Sequence, residues 1–448
     1  TDQADTGAVT LALPQDVQAE AFDYPESFFR RRTWRIGRPL PDRDAIAEAV
    51  ARIRAARRPL IVAGGGVIYS EATEALRRLV EATGIPVAET MAGKGALPFD
   101  HPSSLGALGV TGTPGANLVA READLVVGIG TRWSDFSTAS RTAFQHPDVA
   151  FVNPNVARFD AHKLSGIPLV GDARATIETL ADALREWSTP TEHREKAAEH
   201  NRAWNAQVES FYREGHRPLP SQAEVIGAVN DFVAPRDVLV CAAGSLPGDL
   251  HKLWRCRDPK SYHVEYGYSC MGYEVAGGLG VKMADPDRDV YVMVGDGSWL
   301  MMSSEIVTSL QEGFKLVVVL IDNHGFASIG GLSESLGSGG FGTQYRYRRD
   351  GELEPKGEYL PVDFAANAAS LGAHAIRAET IADLERALVE AKGVDRTVVI
   401  TIETDREARV GSFESWWDVP VAETSEQPSV RDARGRYEAD RARDRWLV

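Results

Sequence analysis

The chain is poor in cysteine, with three in 448 residues: Cys241, Cys256 and Cys270. None forms a Cys-x-x-Cys pair or a zinc-ligand spacing, so neither a disulfide framework nor a structural zinc site is expected. Three reduced thiols, buried or half-buried in or beside strands, fit a reducing cytoplasm. No apolar run approaches the roughly 18–20 residues that a membrane-spanning helix needs. The opening TDQADTGAVT has no basic segment followed by an apolar one, so no signal peptide is expected. An excess of positive charge is also missing. Lys and Arg total 49 against 64 Asp and Glu, a net charge of −15 spread along the chain. That balance argues against nucleic-acid binding by phosphate neutralisation. No repeat of solenoid period occurs. What is present is a globular composition, 43% hydrophobic and 25% charged, long enough for about two or three domains.

Residues 8–13 (AVTLAL) read as a strand, followed by irregular chain. A lone strand must join a sheet, so residues 1–24 are expected to be the end of a domain whose earlier part is missing. An Arg/Pro-rich linker, residues 25–41, comes next. From 42 to 187, helical patterns alternate with short Val/Ile-rich strands (PLIVA, IPVAE, DLVVGIG, VAFVN, IPLVG), the pattern of a Rossmann-like parallel sheet. Gly64, Gly65 and Gly66 follow its first strand. They lack the spacing of a dinucleotide fingerprint, which favours a tight structural turn over a phosphate cradle. Residues 188–217 form a polar, helical connector. A second α/β unit spans 218–404, and residues 405–448 form an extended tail with one helix over YEADRARDRW. The fold class is therefore α/β, with two doubly wound parallel-sheet domains.

The chemistry concentrates in residues 295–323, GDGSWLMMSSEIVTSLQEGFKLVVVLIDN. A Gly-Asp-Gly turn follows an apolar strand, an amphipathic helix comes next, and a second apolar strand ends in Asp-Asn. Asp296 and Asn323 thus fall at the C-terminal ends of parallel strands, where open α/β sheets bind ligands. A carboxylate and an amide oxygen are hard ligands suited to Mg²⁺. Gly295 closes the strand, and Gly297 and Ser298 open a helix whose free N–H groups can meet a diphosphate. A second strand, VLVC, runs into Gly244, Ser245 and Leu246, a second backbone cradle at the same sheet edge.

This pattern resembles the signature of thiamine diphosphate enzymes. The segments EYGYSCMGYEVAGGLGVK, GDGSWLMMSSE, DNHGF, GFGTQYRYR and ESWWD resemble more narrowly the 3D-(3,5/4)-trihydroxycyclohexane-1,2-dione hydrolases of inositol catabolism. The resemblance runs from residue 8 to the tail. It implies that Asp296, Asn323 and the Gly325 carbonyl hold Mg²⁺, with Asp322 standing where the family usually has a first Asn. It implies that Ser269 and Met271 adjoin the cofactor, Met271 wedged between its two rings. Residues 1–24 would be the end of a pyrimidine-binding domain, and no residue of this chain matches that domain's activating glutamate. The implied reaction is hydrolytic C–C cleavage that opens a polyhydroxylated cyclohexane-1,2-dione to a deoxy-uronic acid. Candidates for proton transfer and hydroxyl recognition are His263, Glu265, Tyr266 and His324, and Arg346 and Arg348 could take the nascent carboxylate. The implied assembly is a homodimer or tetramer with shared active sites, in the cytoplasm. Two other readings stay open: an acetolactate synthase-like carboligase, and a cofactor-binding fragment without turnover.

Overall fold

Strands β1 (Pro59–Ala63), β2 (Val87–Glu89), β3 (Ser104–Ala107), β4 (Leu125–Ile129), β5 (Ala150–Asn155) and β6 (Ile167–Val170) build one sheet. Strands β7 (Val238–Cys241), β8 (Tyr262–Val264), β9 (Val290–Gly295), β10 (Val317–Asp322), β11 (His374–Ala378) and β12 (Val398–Glu403) build another. The computed structural model describes residues 2, 4, 7, 9–351 and 354–447. Both sheets are parallel throughout, in the orders β3-β2-β1-β4-β5-β6 and β11-β12-β10-β9-β7-β8. The central strands are apolar along their whole length because helices cover both faces. Every residue of β1 and β4 is buried, as are Val290 to Val294 of β9 and Val317 to Ile321 of β10.

Local signals fix several helix ends. Asp42 caps the helix Arg43–Ala55 through the amides of Asp44 and Ala45. Gly84 ends the helix Thr73–Thr83 in the left-handed conformation at φ 69°, which glycine adopts without a Cβ penalty. Ser221 and Glu224 form a reciprocal capping box on the helix Gln222–Phe232.

Several expectations need correction. The stretch Val9 to Leu13 forms no strand and has no ladder partner, and Val9 is 90% exposed; Ala8 lies outside the described residues. An apolar alternation makes a strand only where a sheet edge accepts it, and neither sheet here does. The single helix expected after the Gly-Asp-Gly turn is two, Asp296–Met301 and Glu305–Gln311, broken at Met302 to Ser304. Strands β3 and β8, short and edge-ward, were not expected. The tail helix spans Pro428–Arg441, starting upstream of the expected stretch. Cys241 and Cys256 are buried, but Cys270 is exposed.

The glycine turn after β1 meets the end of β4 backbone to backbone. A Cβ on Gly64 would sit 2.3 Å from the Gly130 carbonyl oxygen, and one on Gly66 would lie 2.7 Å from the Gly130 Cα. The glycines therefore close the reversal point of this sheet. The helix Thr191–Tyr212 joins the two units. The tail returns over them: Asn117 Nδ2 donates to the Phe413 carbonyl at 2.7 Å, and Lys252 Nζ to those of Val410 and Gly411 at 3.1 Å each.

Candidate active site

In the second sheet the chain runs from β7 outward to β8, then returns to the other side of β7 to form β9. The strand order reverses between β7 and β9, and a crevice opens there at the C-terminal strand ends. Beyond β7, Gly244 takes φ 99° and the helix Ser245–Leu253 begins. Gly295, the last residue of β9, leads directly into Asp296–Met301. Two helix N-termini therefore face one cleft with amides that no helical carbonyl fills. A Cβ at Gly244 or Gly295 would meet nothing within 4 Å, so both turns border open space. Gln222, Ala243, Phe326 and the start of the helix Ala327–Ser335 complete the walls.

Asp296 is fully buried on the cleft floor. Its Oδ1 accepts the Gly297 amide at 2.9 Å and its Oδ2 the Gly325 amide at 2.8 Å. Burial, reinforced by the charge of Asp322, pushes its carboxyl well above the usual range, while the two amides oppose the shift. The side-chain oxygen of Asn323 is buried with no hydrogen-bond partner. Gly325, two residues beyond Asn323, takes φ 148°; a Cβ there would lie 2.2 Å from the Thr343 carbonyl oxygen.

These features fit Mg²⁺ held together with a diphosphate. A buried carboxylate lacks a cation, an amide oxygen lacks a partner, and phosphate oxygens could fill the remaining positions of a magnesium shell. Among the described residues no three His, Cys, Asp or Glu side chains converge as a metal site. A single carboxylate with neutral oxygens suits a metal that arrives bound to phosphate.

Of the residues singled out from sequence, Gly244, Ser245, Leu246, Met271, Gly295, Asp296, Gly297, Ser298, Asn323 and Gly325 line this one cleft. Ser269 does not. It is exposed, in irregular chain, at φ 55°. His263, Glu265, Tyr266 and His324 also lie off the cleft lining. His263 Nε2 hydrogen-bonds the Tyr273 hydroxyl at 2.7 Å, and burial lowers its proton affinity. Glu265 accepts the amides of Tyr268 and Cys270 at 3.0 and 2.6 Å, which hold its carboxyl below the usual range against the effect of burial. Tyr266 packs edge-on against Phe136 of the first unit, its hydroxyl buried and unpartnered. His324, at φ 60°, stacks on Tyr359 and bonds Glu403 at 2.7 Å. Arg346 lies 3.7 Å over the same Tyr359 ring and donates to Gln344 and the Gly357 carbonyl, so its guanidinium is engaged within its own loop. Arg348 is exposed. Gln222, Ala243 and Phe326 were missed. Gln222 opens a well-signalled helix, but only the tertiary fold turns it toward the cleft.

The sheet reversal, the paired helix N-termini and the Asp296–Asn323–Gly325 floor define the diphosphate-binding half of a thiamine diphosphate enzyme. Residues 46–180 match the family described as thiamine pyrophosphate enzyme, central domain, and residues 242–402 its C-terminal TPP binding domain. Proteins named 3D-(3,5/4)-trihydroxycyclohexane-1,2-dione hydrolase from Bacillus cereus (strain AH820) and Bacillus anthracis (strain CDC 684 / NRRL 3495) are each 43% identical to it. Those alignments cover 97% of this chain and 71% of each relative. That of Bacillus thuringiensis (strain Al Hakam) is 42% identical over the same shares. The chain belongs to this hydrolase family.

Proposed function

We propose that the protein opens the ring of a polyhydroxylated cyclohexane-1,2-dione by thiamine diphosphate-dependent hydrolysis of a C–C bond, giving a deoxy-uronic acid. The observation that carries this reading is the likeness to the named hydrolases across 97% of the chain. Asp296, Asn323 and the Gly325 carbonyl would hold Mg²⁺. The amides after Gly244 and those of Gly297 and Ser298 would hold the diphosphate, and Met271 would pack beside the rings. When bound, thiamine diphosphate supplies the electron sink that lets a bond next to a carbonyl break. In the net reaction the bond between the two carbonyl carbons breaks and water is consumed; one carbon leaves as a carboxylate and the other as an aldehyde.

The site would be shared between copies of the chain. Tyr268 is 92% exposed, and Leu300, Met301 and Met302, at the far end of the helix that begins at Asp296, are about half exposed, an apolar surface of the kind a partner covers. Light scattering coupled to gel filtration tests this; a monomer at micromolar concentration with full activity would refute it. A cytoplasmic location accords with the cofactor and the free thiols. Among the described residues no helix is long and apolar enough to cross a membrane.

The function is tested by following dione consumption and uronate formation by NMR with Mg²⁺ and thiamine diphosphate, beside a parallel assay of pyruvate condensation. Ring opening without condensation is expected. Condensation alone would replace this reading with a carboligase.

A further inference from the structure

Glu274 is 1% exposed against the diphosphate cradle, and the metal and phosphate chemistry above gives it no task. It sits in the first turn of the helix Tyr273–Ala284, behind Gly272 at φ 92°. Its Oε2 accepts the Gly272 amide at 3.0 Å, and the same amide reaches the Ser298 hydroxyl at 3.2 Å. Its Oε1 lies 3.5 Å from the Ala243 amide. One carboxyl thus faces three segments: the turn carrying Met271, the loop before Gly244, and the helix that begins at Asp296.

An apolar residue would fill this space at less desolvation cost, so packing alone does not account for a carboxyl here. We propose that Glu274 is a positioning residue that ties the Met271 turn to both halves of the diphosphate cradle, setting the ring-side and phosphate-side contacts of the cofactor together. The inference rests on the thiamine diphosphate reading of the cleft. Burial raises the carboxyl's proton affinity against the hydrogen bonds it accepts, and a neighbouring diphosphate would add to that effect. A glutamine amide oxygen can replace the oxygen that accepts the short bond from Gly272, while its NH2 cannot accept from the Ala243 amide at 3.5 Å. The bond to Gly272 is the short one, whereas the cradle amides are held by their own helices. Losing Glu274 should therefore loosen the ring side more than the phosphate side.

Titration calorimetry with Mg²⁺ and either thiamine diphosphate or inorganic pyrophosphate tests this on wild type, E274A, E274Q, M271A and the E274A/M271A pair. E274A should bind thiamine diphosphate about tenfold more weakly, the scale of a lost buried hydrogen bond, and pyrophosphate less than about threefold more weakly. E274Q should recover most of the loss. Met271→Ala should cost affinity in wild type and little more in E274A, because its turn is already free. Equal losses for both ligands, no loss, or full additivity with M271A would overturn the proposal. Should E274A fail to fold, E274D, too short to span Gly272 and Ala243, takes its place with the same expectations. A wild-type protein that binds neither ligand would overturn the reading of the cleft itself.

Discussion

The carboxyl of Asp296 is fully buried beside Asp322 and pushed up to about 8, a setting that favours its protonated form until a cation arrives. The folded chain keeps a proton that the unfolded chain releases at the ordinary carboxylate value. The stability this proton confers is full below that value and is lost as pH rises toward about 8. Without ligands, the wild-type melting temperature should therefore fall from about pH 5 to pH 8, and D296N should lack that slope. Magnesium with thiamine diphosphate should raise the wild-type melting temperature more at the alkaline end and leave D296N unchanged. Parallel slopes, or undiminished cofactor affinity of D296N by calorimetry, would refute the role. This site was legible in the sequence because its residues stand at strand ends, where spacing fixes position. The candidates His263, Glu265, Tyr266 and His324 stand in loops or on an edge strand, and chain order does not say which way such side chains turn. Tyr266 reaches Phe136 of the other unit, a contact no local pattern announces.

Two glycine turns, one after each of β1 and β10, separate structure from function at the level of elements. Gly325→Ala would place a Cβ 2.2 Å from the Thr343 carbonyl, so the turn must shift and its 2.8 Å bond to Asp296 must lengthen. Gly64→Ala would press on the Gly130 carbonyl at 2.3 Å. Each should cost stability of about 1–3 kcal/mol in urea titrations, the usual scale for forced backbone shifts. Only Gly325→Ala should also weaken magnesium-dependent cofactor binding, by tenfold or more (about 1.4 kcal/mol). A binding defect in Gly64→Ala would mean the first sheet contributes to the site. Long apolar strands such as β9 and β10 were readable from composition alone. The four-residue β3 and three-residue β8 were not, because so short a segment becomes a strand only when a neighbour offers its edge. The helix break at Met302 was equally hidden, since the apolar period continues across it.

Across the whole molecule, a buried ion pair of the first unit hydrogen-bonds to the second. Lys94, beyond β2, lies 3.4 Å from Glu89 at the end of β2 and donates to the His251 carbonyl of the second unit at 2.9 Å. His251 returns the contact, with Nδ1 2.8 Å from the Thr111 hydroxyl and Nε2 3.2 Å from the Glu89 carbonyl. The Glu89 and Lys94 side chains are 10% and 4% exposed, so solvent does little to screen the pair. Burial already pushes the Glu89 carboxyl up, with Lys94 and the Gly95 amide opposing it. Lys94→Met removes the main opposing charge and the hydrogen bond across the units. It should cost about 3–5 kcal/mol, the usual penalty for a buried charge left alone. Because Glu89 then holds its proton more tightly in the folded state, the deficit should grow as pH rises from the ordinary carboxylate range toward neutrality and beyond. Adding Glu89→Gln, which keeps an acceptor for the 2.8 Å bond from Gly95, should remove that pH dependence and recover part of the loss. Urea unfolding at two pH values checks both statements. A K94M protein within about 1 kcal/mol of wild type at the higher pH would mean the pair does not hold the two units together, and that the helix Thr191–Tyr212 and the returning tail suffice.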